Sequence, residues 1–387
     1  MPDGKFDKLR QAPPIVDGNR PVPSGAKLLC MWAALIAIPF VGLLLLVLGY
    51  YAFAKLTYSA YTCGSFARLD DEIGWTLAPS VESCLGGRGV FTRTPWFESP
   101  VYTDANGFRA ARPGAPTSVG GLMAVGDSYT FGYGVTFEQS YAGELERLSH
   151  LPVVTAASPA YSSAQALLLA QRWVPRIKPK AIVYLDNGMW TRDACRGPYR
   201  PTAILKPCYW QPPGAAAAEL VIPPPGRIAA WAKWGVLPGG MIGPGETGWD
   251  YFLVSRPVLQ VEHLLTLAGI VSGFGHDFAA VGVDDTAIRR AALAHLGRLA
   301  EAARVPVIFL DSENFYPPDM LDELPASQRA FIDRIGKERW DREVEAPAAL
   351  LPPDQRTVPH DDHFGAGRHR LIAEMLAREL NRLGITQ

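Results

Sequence analysis

The feature that most constrains the fold is a long uncharged stretch near the start of the chain. Residues 28–54 contain no Asp, Glu, Lys, Arg or His and are dense in Leu, Ile, Val and Phe. As a helix, this stretch would be about 40 Å long, more than the roughly 30 Å hydrocarbon core of a bilayer. It therefore predicts one transmembrane helix. The alternative is a cleaved signal peptide, although its apolar region is usually only about 7–15 residues long.

The charges that flank this stretch predict its orientation. Five Lys and Arg residues lie within residues 1–27, whereas the acidic cluster Asp70-Asp71-Glu72 follows the stretch. The positive-inside rule then makes residues 1–27 a cytoplasmic tail and puts the chain from residue 55 onward outside the cytoplasm. We therefore expect a single-pass inner-membrane protein whose partner is the lipid bilayer and whose large domain is periplasmic.

Cysteine usage agrees with an oxidising compartment, where disulfides persist. Apart from Cys30 in the apolar stretch, the cysteines are Cys63, Cys84, Cys195 and Cys208. Four cysteines allow three pairings. The local pairing, Cys63–Cys84 with Cys195–Cys208, is the one we favour.

The charge balance and the cysteine spacing exclude some classes of function. Lys+Arg number 37 and Asp+Glu 38, for a formal net charge of -1. A nucleic-acid partner is not expected, because such proteins usually carry a clear basic excess. The chain has no C-x-x-C pair and no His/Cys cluster, so neither a metal nor another cofactor is predicted.

Apolar runs and amphipathic stretches alternate through most of the remaining chain. The predicted strands and helices are, in order, strand 122–125, helix 139–148, strand 152–156, helix 163–173, strand 181–185, helix 285–303, strand 305–310 and helix 369–383. Such alternation predicts a three-layer α/β/α sandwich with a central parallel sheet. We assign it to residues 116–387, interrupted by a Pro/Gly/Trp-rich insertion at 191–284 and preceded by a lead-in segment at 55–115.

Two short motifs carry residues suited to nucleophilic catalysis. Gly126-Asp127-Ser128 follows the first predicted strand, and the carboxyl ends of strands are where α/β sheets bind ligands. A serine needs a base to take its proton, and the base needs a carboxylate to orient it. The run from His360 to His363, with Asp361 and Asp362 between them, precedes the last helix and could supply both.

These motifs resemble those of one family. The segment AVGDSYTFGYGVTFEQSYAGELERL is similar to the nucleophile block of the GDSL (SGNH) hydrolases. VVTAASPAYSSAQALLLAQRWVPRIKPKAIV resembles the second block of that family, and DDHFGAGRHRLIAEMLARELNRL resembles its Asp–His block. The resemblance covers about two thirds of the chain from Glu72 onward. It implies the flavodoxin-like SGNH fold and a serine esterase or O-acyltransferase without a cofactor.

Carried over residue by residue, the resemblance assigns a catalytic triad. It makes Ser128 the nucleophile, His363 the general base and Asp361 the carboxylate that orients the histidine. Asp362 is the competitor for that last role, and His360 is expected to be a surface neighbour.

The same resemblance suggests an oxyanion hole and a substrate cleft. The oxyanion donors would be the N–H groups of Ser128 and Ala157 and the amide of Asn187. Alanine stands at 157 where the family has glycine, and Asn187-Gly188 could instead be only a turn. The residues expected to line the cleft are Asp127, Tyr129, Trp190 and Arg192, the last two with packing as the alternative.

The expected location of the large domain outside the cytoplasm suggests a class of substrate. The expected substrate is an ester, in particular an O-acetyl group of a cell-envelope or exported polysaccharide. The competing hypothesis is an inactive SGNH-fold protein that binds carbohydrate or assists assembly. The sequence leaves esterase and transferase unseparated, and it does not indicate the oligomeric state or any protein partner.

Overall fold

The chain divides into two units, residues 1–57 and 58–387. The computed structural model describes residues 25–57, 59–88, 95–193, 206–212, 214–223, 226, 236–237, 241–242 and 285–386. In the first unit these form one helix, α1, Gly25–Thr57, with Pro39 inside it. Its described apolar side chains are exposed, for example Leu46 at 73%. Among the described residues, no helix is both long enough and apolar enough to cross a membrane. The anchor therefore stays a prediction.

The second unit contains the strands and the remaining helices. Its strands are β1 (Ser59–Thr62), β2 (Ala67–Asp70), β3 (Gly74–Leu77), β4 (Glu82–Arg88), β5 (Pro95–Thr103), β6 (Arg109–Ala110), β7 (Leu122–Gly126), β8 (Val153–Ala157), β9 (Ala181–Leu185), β10 (Cys208–Trp210), β11 (Glu219–Val221), β12 (Val236–Leu237), β13 (Met241–Ile242), β14 (Val307–Leu310) and β15 (Ile332–Ile335). Its helices are α2 (Ser128–Phe131), α3 (Tyr141–Ser149), α4 (Ser163–Ile177), α5 (Asp285–Ala303), α6 (Pro318–Asp322), α7 (Ala326–Arg329), α8 (Lys337–Trp340), α9 (Ala346–Ala348), α10 (Pro353–Arg356) and α11 (Ala366–Arg382).

One large sheet organises this unit. Its nine described strands run in the order β1-β4-β5-β6-β8-β7-β9-β14-β15. From β8 to β15 every pair is parallel, and from β1 to the β6–β8 pair every pair is antiparallel. The prediction of a parallel sheet is therefore correct only for the half from β8 to β15. The sheet is mixed because strands of the lead-in segment pair onto the edge that β8 would otherwise leave open.

Helices cover both faces of the sheet, as a three-layer sandwich requires. On β7, Met123 and Val125 pack into a core that includes side chains of α4 and α5. Leu122 and Ala124, which alternate with them, pack into a second core with α3 and α11. Because successive side chains of a strand point to opposite faces, an uninterrupted apolar run is what a strand buried on both sides needs.

The two predicted disulfides have different outcomes. Cys63 and Cys84 form a disulfide with a Cα–Cα distance of 4.9 Å, which confirms that half of the predicted pairing. The other half, Cys195–Cys208, lies outside the description because Cys195 is not among the described residues. Most of the predicted insertion lies outside it as well, and its described parts include the antiparallel pair β10–β11.

Two buried histidines make the stability of this unit sensitive to acid. His369 on α11 accepts a hydrogen bond from the Tyr141 N–H through Nδ1 (3.1 Å). Burial, aided by nearby positive charges, lowers the pKa of His369 to about 3. Burial likewise lowers the pKa of His295, which is hydrogen-bonded to Tyr209 and Gln171, to about 4.

We expect the free energy of unfolding to fall as the pH drops below 6.5. In the unfolded chain both imidazoles are protonated near pH 6.5, whereas in the folded chain His295 is protonated only near pH 4 and His369 only near pH 3. The stability that is present above pH 6.5 is therefore lost as the pH falls toward these values. Between pH 7 and pH 5 this costs about 2 kcal/mol for each histidine. Urea unfolding of His369→Asn, which keeps an acceptor for Tyr141, should show a flatter pH dependence. The exposed His150→Asn is the control, and a slope unchanged in His369→Asn would contradict this account.

Candidate active site

Ser128 lies at the tight turn between β7 and α2. Asp127 is the N-cap of α2, and its side chain accepts a hydrogen bond from the Tyr129 N–H (3.1 Å). Gly126 allows the turn to close, because a Cβ at this position would lie 2.1 Å from Thr130 Oγ1. The turn thus presents the Ser128 side chain at the carboxyl end of a central strand, the edge where open α/β sheets bind ligands.

The C-terminal loop brings a histidine to this serine. The Nε2 atom of His363 lies 2.8 Å from Ser128 Oγ. On the other side of the ring, Nδ1 lies 2.5 Å from Asp361 Oδ1. A serine, an imidazole and a carboxylate joined in this order form the arrangement that activates a serine hydroxyl as a nucleophile. The three residues that the sequence suggested are thus brought together.

The structure shows which of the two neighbouring carboxylates, Asp361 or Asp362, is hydrogen-bonded to the His363 ring. Asp361 is 12% exposed and also accepts a hydrogen bond from the His363 N–H (3.0 Å), whereas Asp362 is 90% exposed and lies 3.7 Å from Nδ1. Burial alone would raise the pKa of Asp361, but its hydrogen bonds with His363 outweigh burial and lower that pKa. Asp361 therefore stays ionised to unusually low pH. His360 is exposed, and its ring lies 4.2 Å from the ring of Trp96 at an angle of 37°.

Two tyrosines stack on the His363 ring. The Tyr129 ring lies 4.7 Å from it at 29°, and the Tyr133 ring lies 4.2 Å from it at 23°. Tyr133 is also tied to the nucleophile turn, because its N–H donates to the Ser128 carbonyl (3.0 Å). Sequence reasoning singled out Tyr129 but missed Tyr133. Tyr133 lies beyond the end of α2, after the left-handed residue Gly132, so no helical spacing in the sequence indicated its contact with His363.

We expect Tyr133→Leu to lower kcat about 3- to 10-fold. The His363 ring becomes positively charged when it takes the proton of Ser128, and an aromatic face beside such a ring contributes about 0.5–1.5 kcal/mol. Tyr133→Phe keeps the ring and should stay within about twofold of the original chain by the same reasoning. Both variants would be compared by their turnover of p-nitrophenyl acetate. An equal loss in the two variants would mean that the hydroxyl, not the ring, matters.

Asn187, the predicted side-chain oxyanion donor, lies in the turn after β9. It follows β9 at the same sheet edge, and its Oδ1 accepts a hydrogen bond from the Ser312 hydroxyl (3.1 Å). That bond fixes the amide, and within the described part of the chain Nδ2 has no acceptor. The preceding Asp186 holds the turn, since it accepts from the Met189 N–H (2.7 Å) and from the Tyr316 hydroxyl (2.6 Å). Burial raises the pKa of Asp186 to about 6.

The loop after β8 contains an oxyanion candidate that sequence reasoning missed. Ala157, the predicted donor, is the last residue of β8, pairs with Gly126 in the ladder and is 1% exposed. Three residues later, Ala160 has φ 68°, a conformation that favours glycine. Within the described residues, neither the Ala160 N–H nor the Ser128 N–H donates to an acceptor. The signal available in the sequence was small residues at both 157 and 160, of which we weighed only the first.

The remaining predicted cleft residues have mainly structural contacts. Asp127 was expected to line the cleft, but it is fully buried and forms an ion pair with Arg192 at 2.6 Å. That prediction is wrong because the carboxylate is needed inside the turn. Arg192 remains 18% exposed. Trp190 packs on Phe315 at a ring distance of 6.0 Å and under Arg289, which favours the packing alternative.

One group near the nucleophile has donor atoms close enough together for a metal, namely Asp361, Asp362 and His363. In this arrangement both ring nitrogens of His363 are already engaged, one with Ser128 and one with Asp361. A metal ligand needs a free nitrogen lone pair, so the geometry fits a proton-transfer triad better than a metal site.

No protein-family model and no curated protein matches the chain. Solved structures that are similar to it include lipolytic and carbohydrate esterases. A putative lipolytic protein of the G-D-S-L family from Desulfitobacterium hafniense is 12% identical, with 66% of this chain and 97% of that one covered and a TM-score of 0.29. A psychrotrophic esterase from Pseudoalteromonas sp. is 10% identical, with 68% and 97% covered and a TM-score of 0.32.

An acetyl xylan esterase from the rumen bacterium Butyrivibrio proteoclasticus is a third similar structure. It is 12% identical, 70% of this chain and 66% of that one are covered, and the TM-score is 0.34. Likenesses of this size establish neither the reaction nor the substrate of this chain. Its function has to follow from its own site.

Proposed function

We propose that this protein is a serine ester hydrolase or O-acyltransferase of the GDSL type. The observation that carries the proposal is the 2.8 Å contact between Ser128 Oγ and His363 Nε2, continued by the bond from His363 Nδ1 to Asp361. Ser128 lies in a buried turn at the carboxyl end of β7, and His363 and Asp361 lie in the loop before α11. The resemblance of the surrounding segments to the GDSL blocks supports the same reaction.

In the proposed reaction, Ser128 Oγ attacks the carbonyl carbon of an ester while its proton passes to His363 Nε2. The tetrahedral intermediate then collapses, the alcohol leaves with that proton, and an acyl-serine remains. A water molecule or a sugar hydroxyl next loses its proton to His363 and attacks the acyl carbon. Ser128 regains the proton, and an acid or a new ester is released.

The oxyanion would be held by donors that have no acceptor among the described residues. These are the Ser128 N–H, the Ala160 N–H and the Asn187 amide. The Ala157 N–H stays a prediction. Loss of one such donor typically costs about 2.7–4 kcal/mol of the activation barrier.

The test is covalent labelling and turnover by the full chain in detergent. A fluorophosphonate probe should label the protein at Ser128, and p-nitrophenyl acetate should be hydrolysed. If the probe does not label the protein and p-nitrophenyl acetate is not hydrolysed, the competing hypothesis is favoured. In that case the protein would bind carbohydrate or assist assembly and keep the fold without the reaction.

We propose further that the substrate is an O-acetyl group on a cell-envelope or exported polysaccharide. The support is the predicted location outside the cytoplasm. Incubation with acetylated polysaccharide should release acetate if water is the acceptor. If a sugar hydroxyl is the acceptor, acetyl groups should move to an unacetylated, isotopically labelled polysaccharide. No change in acetylation would contradict this substrate class.

We also propose that α1 anchors the protein in the inner membrane, with the N-terminus in the cytoplasm. The support is the uncharged stretch 28–54, the basic residues before it, and the exposure of the apolar side chains described on α1. The full-length protein should sediment with membranes and resist carbonate extraction. A shortened mature protein in the soluble fraction would show that the signal-peptide alternative is correct.

A further inference from the structure

The β2–β3 hairpin of the lead-in segment contacts the loop that follows β8. Trp75, on β3, is fully buried, and its Nε1–H donates a hydrogen bond to Ser158 Oγ (3.2 Å). The backbone carbonyl of Trp75 accepts a hydrogen bond from the Tyr161 hydroxyl (2.7 Å), and the two rings lie 5.7 Å apart. One tryptophan therefore holds this loop on both sides of its tip, Pro159-Ala160.

The hairpin is itself fixed to the helix that follows the loop. On α4, Gln165 Nε2 donates to the Ile73 carbonyl (2.8 Å), and Arg172 forms an ion pair with Asp70 (2.6 Å). The hairpin, the loop and α4 thus form one hydrogen-bonded unit, in which Trp75 makes the contacts to the loop.

The tip of the loop lies beside the nucleophile turn. Gly126 and Ala157 are paired in register on the neighbouring strands β7 and β8, and the chain continues from them to Ser128 and to Ala160 respectively. Ala160 is partly exposed, whereas the residues on either side of it are buried. Within the loop, Ala160 is therefore the residue that is open to a ligand bound beside Ser128.

Ala160 has a backbone conformation that needs support. Its φ of 68° lies in the left-handed region, which a side chain disfavours and glycine adopts freely. A residue such as alanine keeps this conformation only when the surrounding structure fixes it. The fixed points are Ser158 and Tyr161, because the Tyr161 N–H donates to the Ser158 carbonyl (3.3 Å) and both side chains are hydrogen-bonded to Trp75.

We propose that Trp75 is a positioning residue for the oxyanion hole. By fixing Ser158 and Tyr161, it holds Ala160 in the conformation that offers its N–H to the oxyanion. This inference rests on the reaction proposed above. The lead-in segment, which the sequence predicted to precede the hydrolase domain, would then be needed for full catalysis.

The first experiment uses variants that remove the hydrogen bond between Trp75 and Ser158. Trp75→Phe keeps an aromatic ring and the carbonyl that binds Tyr161, whereas Ser158→Ala removes the acceptor. Loss of a whole oxyanion donor costs about 100- to 1,000-fold, so we expect each variant to lower kcat for p-nitrophenyl acetate about 10-fold with KM unchanged. The double variant should be no worse than either single one, because both changes remove the same bond.

The matched control is Trp173→Phe. Trp173 lies on α4, and its ring packs on Phe108. The same chemical change there should leave kcat unaltered. Thermal unfolding of all variants shows whether a loss of turnover is a loss of fold.

A second experiment separates positioning of the loop from general stability. Ala160→Gly keeps the N–H and needs less support from its surroundings, because glycine adopts the left-handed region without a steric penalty. In the Ala160→Gly chain, Trp75→Phe should lower kcat less than about threefold, against about 10-fold in the original chain. A tryptophan that only stabilises the fold would cost the same factor in both chains. Equal losses would therefore overturn the proposal.

The original chain in detergent distinguishes failure of this inference from failure of the proposed reaction. If that chain is neither labelled by a fluorophosphonate nor active, the reaction is wrong and the inference fails with it. If it is active, and Trp75→Phe and Ser158→Ala both keep kcat within about twofold, only the positioning role is wrong. Should Trp75→Phe not fold, Ser158→Ala with and without Ala160→Gly decides the matter.

Discussion

Replacing Ser128 by alanine is expected to lower kcat for p-nitrophenyl acetate by at least about 10⁴-fold, the scale seen when a serine nucleophile is removed. The variant has no hydroxyl for His363 to activate, so no acyl-enzyme can form. Folding should be unaffected, because the Ser128 hydroxyl has one partner, His363, among the described residues. The measurement is turnover at saturating substrate, together with labelling by a fluorophosphonate.

The matched control is Ser118→Ala, in the loop before β7, which should keep full turnover and labelling. Thermal unfolding of both variants separates loss of chemistry from loss of fold. If Ser128→Ala retained more than a tenth of the original turnover, another residue would be the nucleophile, and the proposed reaction would have to be abandoned.

The second large effect is expected from Asp361→Asn. The carboxylate accepts a hydrogen bond from the Nδ1–H of His363 and stabilises the imidazolium that forms when Ser128 attacks. An asparagine can present an N–H instead, which favours the wrong tautomer of the ring. We expect kcat to fall about 10³- to 10⁴-fold, as for other triads that lose this carboxylate.

The neighbouring carboxylate supplies the comparison. Asp362→Asn makes the same chemical change one residue away, at a side chain that is 90% exposed. We expect it to keep kcat within about threefold, since exposed charges contribute little. If Asp362→Asn lost activity and Asp361→Asn did not, the loop would adopt a different arrangement during catalysis and Asp362 would be the orienting residue.

Much of the fold was predictable because apolar patterning and strand–helix alternation are local properties. The predicted strand 181–185 and helix 285–303 coincide with β9 and α5. The strand before Ser128 and the helix after residue 162 begin where predicted, although the helix continues to Ile177. The contact between Ser128 and His363 could be anticipated in the same way, because both motifs flank elements that place them at one edge of the sheet.

What the sequence did not indicate depends on contacts between distant segments. The strand β15 was missed because two of its four residues, Asp333 and Arg334, are charged, as suits the last described strand of the sheet. The pairing of β6 with β8 rests on a single residue pair, Arg109 with Thr155, and no local pattern encodes it. The choice between Asp361 and Asp362 likewise depended on the loop conformation.

The nucleophile and its base are separated by 235 residues. Because the chain is synthesised from its N-terminus, the loop with His363 and the helix α11 that follows it are made long after the nucleophile turn. A product that stops before residue 363 would lack the base and could not carry out the proposed reaction, however much of the sheet it has already assembled. Hydrolytic turnover would then report that the chain has been made and folded beyond residue 363, and a protease that cut between β15 and Asp361 would act as an off-switch.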